Sequence, residues 1–335
     1  MTPLNKPQTH LAVLHGGELP PGSARLDDHP GLASVRYATA DHLGEVLPGA
    51  DALFVWDLFS EALEAAWPKA DSLRWVHAAT AGVDNLMFDG LVGSDVVVTN
   101  SRGVFDEPMA EYVLGLVIAF AKDLPATLGH QSRREWRHRE TERVGGKHAL
   151  VIGTGPIGRA IARRLRAVGM TVEGAGRTAR PEDPDFGTVV EASLDTAAPG
   201  LAEALPRADY VVLAAPLTDA TRDLAGAAFL ARMRSGARLI NVGRGQLVDE
   251  DALVRALHAG SIAGAALDVA RTEPLPAASP LWDAPGALVS PHMSGDVVGW
   301  LDELVGLFTD NLDRFLGGSP LRNVVDKRRG YVSGP

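Results

Sequence analysis

The sequence predicts an α/β fold made of two parallel-sheet domains. From Lys147 onward, short runs rich in Val, Ile and Ala alternate with amphipathic segments of helical period, and the strand-like runs are apolar throughout. Such runs are typical of parallel strands that are covered by helices on both faces. The first hundred residues repeat this rhythm more weakly. Because 335 residues exceed one ordinary hydrophobic core, we expect two domains.

In the C-terminal half, the predicted strands and helices alternate as a doubly wound sheet requires. The expected strands are "HALVIG", "MTVEGA", "YVVLAA", "ARLINV" and "AGAALDV". The expected helices are "GRAIARRLRAVG", "LAEALPRA", "GAAFLARM" and "DEDALVRALHAG". The stretch between "MTVEGA" and "LAEALPRA" is expected to be a linker. We therefore assign residues 101–291 to the larger domain.

The N-terminal part predicts a second, smaller α/β sheet. Its expected strands are "LAVLHG", "SVRYA", "DALFVW", "SLRWVHA" and "DVVVTN", with "TADHLGEVL" and "SEALEAAWPKA" as helices. After Ser290 the chain changes to one long helical pattern, "VVGWLDELVGLFTDNLDRFLGG", which Gly317, Gly318 and Pro320 end. This helix has no strand to join the preceding sheet, so we expect it to pack on the N-terminal domain. That domain then comprises residues 1–100 and 292–335.

Composition and charge exclude several classes of protein. Hydrophobic residues make up 46% of the chain and charged residues 22%, which is ordinary for a globular protein. The formal net charge of −10 argues against general binding to nucleic acid or anionic membranes. Without cysteine there can be no disulfide, thiolate nucleophile or cysteine metal site, and we expect no metal centre. The first ten residues lack a signal-peptide pattern. The apolar run "YVLGLVIAFA" is too short to span a bilayer, and we interpret it as a buried helix. We therefore expect a cytoplasmic protein.

A glycine-rich loop follows the first strand of the larger domain. Gly153, Gly155 and Gly158 have G-x-G-x-x-G spacing between a strand-like run and a helix-like run. In that context the first glycine permits a tight turn, the second lets the backbone approach a pyrophosphate, and the third permits close helix packing. The backbone of Thr154, Gly155, Pro156 and Ile157 is then expected to contact the phosphates at the helix N-terminus. The alternative is a tight turn that binds no ligand.

The second strand of this domain ends without the carboxylate that usually binds the ribose of NAD. Gly176 stands at that place, and Arg177 and Thr178 follow it, with Arg180 nearby. A guanidinium and a hydroxyl suit a phosphate, so the sequence predicts NADP rather than NAD. Two alternatives remain open: Arg177 as a solvent-facing loop residue, and Glu173 turned inward to bind NAD.

Polar residues follow three further predicted strands, where α/β folds place their chemistry. Arg244 follows "RLINV", Asp268 ends "AGAALD", Glu273 lies five positions later, and His292 follows "ALVSP". We expect a guanidinium, a carboxylate and an imidazole to converge there. Taken singly, each residue also has an ordinary structural explanation in an ion pair, a loop or a turn.

At this point the chain resembles the D-isomer-specific 2-hydroxyacid dehydrogenase family. The matching stretches are "TNSRGVFDEPMAEYVLGL", "GTGPIGRAIARRL", "APLTDATRDL", "NVGRGQLVDEDALVRALHAGSIAGAALDV", "EPLP" with "SPLW", and "SPHMSG", within residues 76–315. The Gly-Arg-Thr ending of the second strand is similar to the NADP-using glyoxylate and hydroxypyruvate reductase branch. The resemblance implies two Rossmann-like or flavodoxin-like domains, the larger binding the dinucleotide.

The resemblance also implies an activity: reduction of a small 2-keto acid to the D-2-hydroxy acid by NADPH, with NADH possible. Arg244 would bind the substrate carboxylate and polarise the carbonyl. His292 would be the acid in reduction and the base in oxidation. Glu273 would orient the imidazole and favour its charged form, and Asp268 would face the nicotinamide carboxamide or ribose.

The same resemblance implies further contacts. On the substrate side, the turn at Ala81, Gly82 and Val83 would present backbone amides to the carboxylate, and Trp56 would restrict the pocket to short acids, unless it is only core packing. The remaining cofactor contacts implied are Met109, Ala215, Pro216, Thr221, Val242, Gly243 and Gly295, besides Arg244 and His292.

The last expectations concern movement and assembly. The crossovers at residues 100–103 and 291–295 are expected to be hinges, and the helix at residues 108–121 with the Trp136 segment to form a homodimer contact. The alternative function is a non-enzymatic NADP sensor or co-repressor on the same fold. A hydrolase is disfavoured because the chain has no G-x-S-x-G or H-E-x-x-H motif and no cysteine.

Overall fold

The computed structural model describes residues 8–193 and 200–332, and it divides the chain into two units. One unit runs to Val104 and resumes at Val297, and the other comprises Phe105–Asp296. The sequence placed these boundaries at 100/101 and 291/292, whereas the division between the two units falls four and five residues later, at 104/105 and 296/297. The second boundary is later because Ser290, Met293 and Ser294 hydrogen-bond to Asp268 and therefore stay with the larger unit. His292 thus belongs to the larger unit and not to the smaller one.

The larger unit contains an eight-stranded sheet in the order β13-β12-β11-β10-β6-β7-β9-β8. Its strands are β6 (His148–Ile152), β7 (Thr171–Gly176), β8 (Arg180–Asp183), β9 (Gly187–Glu191), β10 (Tyr210–Leu213), β11 (Arg238–Asn241), β12 (Gly264–Leu267) and β13 (Ala287–Val289). Its helices are α5 (Asp106–Ala121), α6 (Leu124–Ser132), α7 (Pro156–Ala167), α8 (Leu201–Ala204), α9 (Ala227–Leu230) and α10 (Glu250–His258). Every strand pair is parallel except β8 with β9.

Alternating residues of the central strands build two separate cores. In β6, Leu150 and Ile152 belong to the core under α8, α9 and α10. Ala149 and Val151 belong to the core under α5 and α7. Because successive strand residues point to opposite faces, a run that is apolar throughout requires helices on both faces. The predicted doubly wound sheet is confirmed.

The β8–β9 hairpin corrects the expectation of a linker between "MTVEGA" and "LAEALPRA". β9 adds to β7 in parallel and β8 closes the edge in antiparallel fashion. Phe186, in the turn between them, is fully buried. A Cβ at Gly174 would lie 2.8 Å from its ring, so the glycine makes room for this contact. The hairpin escaped prediction because this segment has few apolar residues to mark the strands.

The smaller unit has a five-stranded, all-parallel sheet in the order β2-β1-β3-β4-β5. Its strands are β1 (Thr9–Leu14), β2 (Leu32–Ala38), β3 (Ala52–Val55), β4 (Trp75–Ala78) and β5 (Val97–Asn100). Four short helices lie between them: α1 (Ser23–Asp27), α2 (Leu43–Val46), α3 (Ala62–Ala66) and α4 (Asp89–Val92). The second, smaller parallel sheet predicted from the sequence is thus present.

The C-terminal segment returns to this smaller sheet. Helix α11 (Trp300–Leu316) places Phe308 in a stack on Phe54, with ring centroids 3.9 Å apart. The helix begins at Trp300, three residues later than its apolar pattern suggested, because Gly299 adopts a left-handed conformation with φ 92°. The polar tail then forms a small hairpin of β14 (Val325–Asp326) and β15 (Tyr331–Val332). Lys327 anchors it by donating to three backbone carbonyls, of Leu91, Ser94 and Val96.

Helix α5 is buried on one side only, which corrects the expectation of a buried helix. It buries Ala110, Val113, Val117 and Ala121, while Ile118 on the other side is 39% exposed. Among the described residues no single helix is long and apolar enough to cross a membrane. Only α5 and α6 taken together, bent by 64°, reach that length and composition. The N-terminal segment from which a signal peptide was excluded lies mostly outside the described residues.

Candidate active site

The glycine loop connects β6 to α7 in the predicted way. Gly153 has φ 112°, and a Cβ there would lie 2.5 Å from the carbonyl group of Ala214. A Cβ at Gly158 would overlap the carbonyl oxygen of Gly153. Both positions therefore need glycine for the turn and for the approach of the helix to the strand.

Gly155 differs from its two neighbours in the motif. A Cβ there would meet nothing within 4 Å, and its backbone is extended, so the fold itself does not require glycine. The open space lies at the N-cap of α7, a 12-residue helix that begins at Pro156. The first turn of a helix has amides without intrahelical acceptors and a positive dipole. The loop is therefore a cradle whose shape and donors suit a phosphate.

At the end of β7 the structure leaves an exposed turn in place of a carboxylate. Arg177 and Thr178 are both exposed there. A Cβ at Gly176 would lie 2.9 Å from the Thr154 hydroxyl oxygen, so the end of β7 is close to the glycine loop. The turn and the loop are thus neighbours, as a dinucleotide site requires.

Arg180 and Glu173, which were also considered for the nucleotide, have partners within the protein. Arg180 donates from Nε to Asp183 at 3.1 Å. Glu173 is buried; His148 lies 3.5 Å from its carboxylate and Arg207 donates to it at 2.9 Å. His148 and Arg207 hold the pKa of Glu173 below its usual value, although burial alone would raise it. Glu173 turned toward a ribose would lose both partners, so the NAD alternative loses its candidate carboxylate.

His292, Glu273 and Arg244 come together in the larger unit. His292 Nδ1 and Glu273 Oε2 are 2.8 Å apart, and Glu273 Oε1 accepts from the Ala270 amide at 2.9 Å. Burial acts to raise the pKa of Glu273. The bonds from His292 and Ala270, with the positive charges of His292 and Arg244, outweigh burial and lower the pKa. The carboxyl is therefore ionised near neutral pH and suited to stabilise an imidazolium.

The turn that carries His292 is built around Asp268, which is 1% exposed. Its carboxylate accepts three bonds: from Ser290 Oγ at 2.7 Å, from the Met293 amide at 3.0 Å and from the Ser294 amide at 2.9 Å. Its carbonyl accepts from the His292 amide at 2.7 Å. His292 itself has φ 52°, a conformation that non-glycine residues seldom adopt unless their surroundings impose it. Asp268 holds this turn, whereas the family resemblance implied only a contact with the cofactor.

Arg244 lies three residues after the end of β11 and caps the start of a short 3-10 turn. Its Nη1 donates to the Gly243 carbonyl at 3.0 Å. The buried Asn241 donates to the Arg244 carbonyl at 2.8 Å and accepts from the Gly243 amide at 3.1 Å. Sequence reasoning missed Asn241, although a polar residue at the end of an apolar strand was a usable signal.

The remaining predicted cofactor residues line the same unit. Val242 and Ala215 are buried after β11 and β10. The Thr221 hydroxyl donates to the Pro216 carbonyl at 2.7 Å, so it already shapes its own loop. Met109 is half-buried on α5.

Two of the glycines predicted for this site are explained by packing. A Cβ at Gly243 would lie 2.8 Å from Leu247, and one at Gly295 would lie 2.7 Å from the Phe105 ring.

In the described residues no group of three or more His, Asp or Glu side chains is placed to hold a metal ion.

The predicted substrate residues Trp56, Ala81, Gly82 and Val83 belong to the smaller unit. Trp56 is 8% exposed, and its ring centroid lies 5.6 Å from that of Phe54, as expected of core packing.

The turn after β4 is fixed by its carbonyls. Thr80 Oγ1 donates to the Gly82 carbonyl at 2.6 Å, and Asn100 donates to the Ala81 carbonyl. No acceptor within the described ranges takes the amides of Ala81 and Gly82.

Comparison with known proteins agrees with this geometry. The family profile described as D-isomer specific 2-hydroxyacid dehydrogenase, NAD binding domain, matches residues 114–294. The chain is similar to glyoxylate/hydroxypyruvate reductase B of Klebsiella pneumoniae, with 31% identity over 316 residues, 90% of this chain and 94% of that protein.

Solved structures show the same similarity. A D-isomer specific 2-hydroxyacid dehydrogenase from Xanthobacter autotrophicus, in complex with NADPH and MES, has a TM-score of 0.80 at 33% identity, covering 97% of this chain and 100% of that one. An NADPH-dependent glyoxylate/hydroxypyruvate reductase from Sinorhizobium meliloti, in complex with NADP and sulfate, has a TM-score of 0.79 at 30% identity, covering 96% and 100%.

Proposed function

Because the chain belongs to the D-isomer specific 2-hydroxyacid dehydrogenase family and is an oxidoreductase, we propose that it reduces a small 2-keto acid to the D-2-hydroxy acid with NADPH. The observation that carries the proposal is the 2.8 Å pair of His292 and Glu273, with Arg244 close enough to lower the pKa of that glutamate. These groups lie in the unit that also holds the glycine loop.

Each of the three side chains has a role that its chemistry supports. Arg244 binds the substrate carboxylate and polarises the adjacent carbonyl, because its planar fork matches a 2-keto acid. Glu273 engages Nδ1 of His292, so Nε2 is the atom that gives a proton to the carbonyl oxygen in reduction and takes it back in oxidation. NADPH, when bound, supplies the hydride. Asp268 holds the turn of His292 in addition to any cofactor contact.

NADP preference is supported by the end of β7. Gly176 offers no carboxylate to repel a 2′-phosphate, and the exposed Arg177 and Thr178 are a guanidinium and a hydroxyl suited to bind one. Glu173 is held by Arg207 and does not replace the missing carboxylate. Two of the similar solved structures contain NADPH or NADP.

A matched pair of variants tests this preference. Gly176→Asp and Gly176→Asn have nearly the same volume and crowd Thr154 equally, so their difference reports the carboxylate charge. We expect the ratio of kcat/KM for NADPH to that for NADH to fall at least ~10-fold further in Gly176→Asp, since a carboxylate repels a phosphate and accepts from a ribose hydroxyl. Equal ratios in the two variants, or a wild type that uses NADH better, would contradict the assignment.

The activity itself is tested by a substrate screen. NADPH oxidation is followed with glyoxylate, hydroxypyruvate, pyruvate, phenylpyruvate and branched 2-keto acids, and repeated with NADH. We expect turnover of at least one short acid and a loss of several orders of magnitude in His292→Ala, with NADPH affinity nearly unchanged. A His292→Ala protein that keeps most of its activity refutes the acid–base role. No turnover of any acid refutes the function.

Four expectations stay predictions: the hinges, a cytoplasmic location, the substrate size limit set by Trp56, and carboxylate binding at Ala81, Gly82 and Val83.

A homodimer is supported by apolar surface on α5, α6 and the following segment: Leu128 is 65% exposed and Trp136 is fully exposed. We expect a dimer by light scattering at micromolar concentration and a monomer for Leu128→Asp. A monomeric wild type would contradict the prediction.

A further inference from the structure

Arg271 ties the loop that carries Glu273 to two other segments of the larger unit. Its Nε donates to the Val248 carbonyl at 3.1 Å, and its guanidinium pairs with the carboxylate of Asp223. Its backbone amide donates to Glu250 Oε1 at 2.7 Å. One residue therefore holds three partners that are 21 or more positions away in sequence.

These partners adjoin the turn that carries Arg244. Gln246, two residues after Arg244, donates to the Arg271 carbonyl at 3.4 Å. A Cβ at Gly245 would overlap the carbonyl group of Ala270, so the two loops touch through their backbones. The loop of Arg244 and the loop of Glu273 are consequently held in one fixed spacing.

The contact between the two loops affects the position of Glu273 through the backbone amide of Ala270. The Ala270 amide donates to Glu273 Oε1 at 2.9 Å, which leaves Oε2 directed at His292 Nδ1. A shift of residues 270 and 271 would withdraw that amide and let the carboxylate rotate away from the imidazole. The geometry of the pair thus depends on a guanidinium that does not touch it.

We propose that Arg271 is a positioning residue for the reaction: it fixes the Glu273 loop against the Arg244 turn and thereby holds Glu273 on His292. The inference rests on the proposed function for its kinetic consequence. The guanidinium is suited to this task because its planar fork serves a carbonyl and a carboxylate at once, which the single ammonium of lysine does less well. Its side chain is 37% exposed, so its removal should leave the fold intact.

Kinetics of Arg271→Met test the proposal against Arg232→Met, which replaces a half-buried arginine whose Nη1 donates to the Ala228 carbonyl of the preceding helix, α9. We expect kcat to fall about 10-fold in Arg271→Met, because small displacements of catalytic groups are costly, with the KM for NADPH changed less than about 2-fold. The alkaline limb of the reduction profile should move to lower pH, since a displaced carboxylate stabilises the protonated acid less. Arg271→Lys should recover part of the rate and Arg232→Met should match wild type.

A double variant separates positioning from general damage. If Arg271 acts through Glu273, adding Arg271→Met to Glu273→Gln should lower kcat less than about 2-fold further. An equal 10-fold loss in both backgrounds would overturn the inference. So would an Arg271→Met enzyme with wild-type kcat and pH profile.

Amide hydrogen exchange supplies a readout that needs no activity. In Arg271→Met, peptides covering residues 270–274 should exchange faster, while the glycine loop at residues 153–158 stays as in wild type. Unchanged exchange at residues 270–274 refutes the positioning role. Faster exchange there in a protein that reduces no 2-keto acid supports the role of Arg271 in the loop while refuting the proposed function.

Discussion

Replacing Asp268 with asparagine removes one charge at almost constant shape, and its cost can be worked out bond by bond. In the native protein, Oδ1 accepts from Ser290 Oγ and the Met293 amide, and Oδ2 accepts from the Ser294 amide. An asparagine keeps its oxygen on only one side. In its better orientation the oxygen replaces Oδ1, and the new NH2 group then faces the N–H of Ser294, donor against donor.

The magnitude follows from these three bonds. One bond to a charged acceptor is lost, which costs about 1.5–3 kcal/mol, and the two that remain weaken from charged to neutral acceptors. Since Asp268 is 1% exposed, water does not replace the lost acceptor. We expect the free energy of unfolding of the larger unit to fall by about 3–5 kcal/mol, and Tm by roughly 10 °C.

The same change should affect catalysis, because the His292 turn is no longer held with φ 52°. We expect kcat for 2-keto acid reduction to fall at least ~10-fold. Denaturant unfolding, calorimetry and steady-state kinetics measure the three effects. Ser290→Ala is the graded control: it removes one bond and should cost only about 1 kcal/mol. An Asp268→Asn protein with wild-type Tm and kcat would refute the reasoning, and a change confined to the KM for NADPH would make Asp268 a cofactor contact only.

Three further predictions concern the glycine loop, acid stability and the substrate pocket. Gly158→Ala should lower the free energy of unfolding by about 3 kcal/mol, because its Cβ overlaps a backbone carbonyl. Gly155→Ala, whose Cβ position is open, should keep the wild-type Tm and weaken NADPH binding at least ~10-fold. Calorimetry measures the stability of each variant, and fluorescence titration measures its affinity for NADPH. Burial lowers the pKa of His77 to about 3, so between pH 3 and 6.5 the folded protein binds fewer protons than the unfolded chain. The stability that His77 contributes is therefore present above its usual pKa of 6.5 and is lost toward pH 3, by about 1.4 kcal/mol per pH unit. In urea unfolding between pH 4 and 7, the free energy of unfolding of His77→Leu should depend less steeply on pH than that of wild type. Trp56→Ala should admit larger 2-keto acids in the substrate screen if the ring limits the pocket.

Each of these has an outcome that contradicts it. A Gly155→Ala protein that binds NADPH as wild type does would remove the loop from the site. Identical pH dependence in wild type and His77→Leu would show that His77 does not titrate on unfolding as described. An unchanged ranking of substrates in Trp56→Ala would leave that residue as core packing alone.

The sequence by itself determined the buried central strands of both sheets, the glycine loop and the family. Runs such as "HALVIG" are apolar at every position, and that local pattern already requires a strand covered on both faces, as β6 proves to be. The spacing of Gly153, Gly155 and Gly158 likewise predicted the strand, turn and helix found there. Such features follow from short-range periodicity and backbone sterics, which are written in consecutive residues.

Tertiary structure decided which polar group each charged residue engages. Arg207, 34 positions from Glu173, donates to the carboxylate that the NAD alternative required, and no residue near Glu173 in sequence predicts this pair. The family resemblance implied a cofactor contact for Asp268, but its carboxylate also holds a turn 22 to 26 residues away. Arg271 carried no sequence signal at all. An ion or a buried acceptor is satisfied by whichever donors the fold brings within about 3 Å, and that choice depends on long-range packing rather than on local pattern.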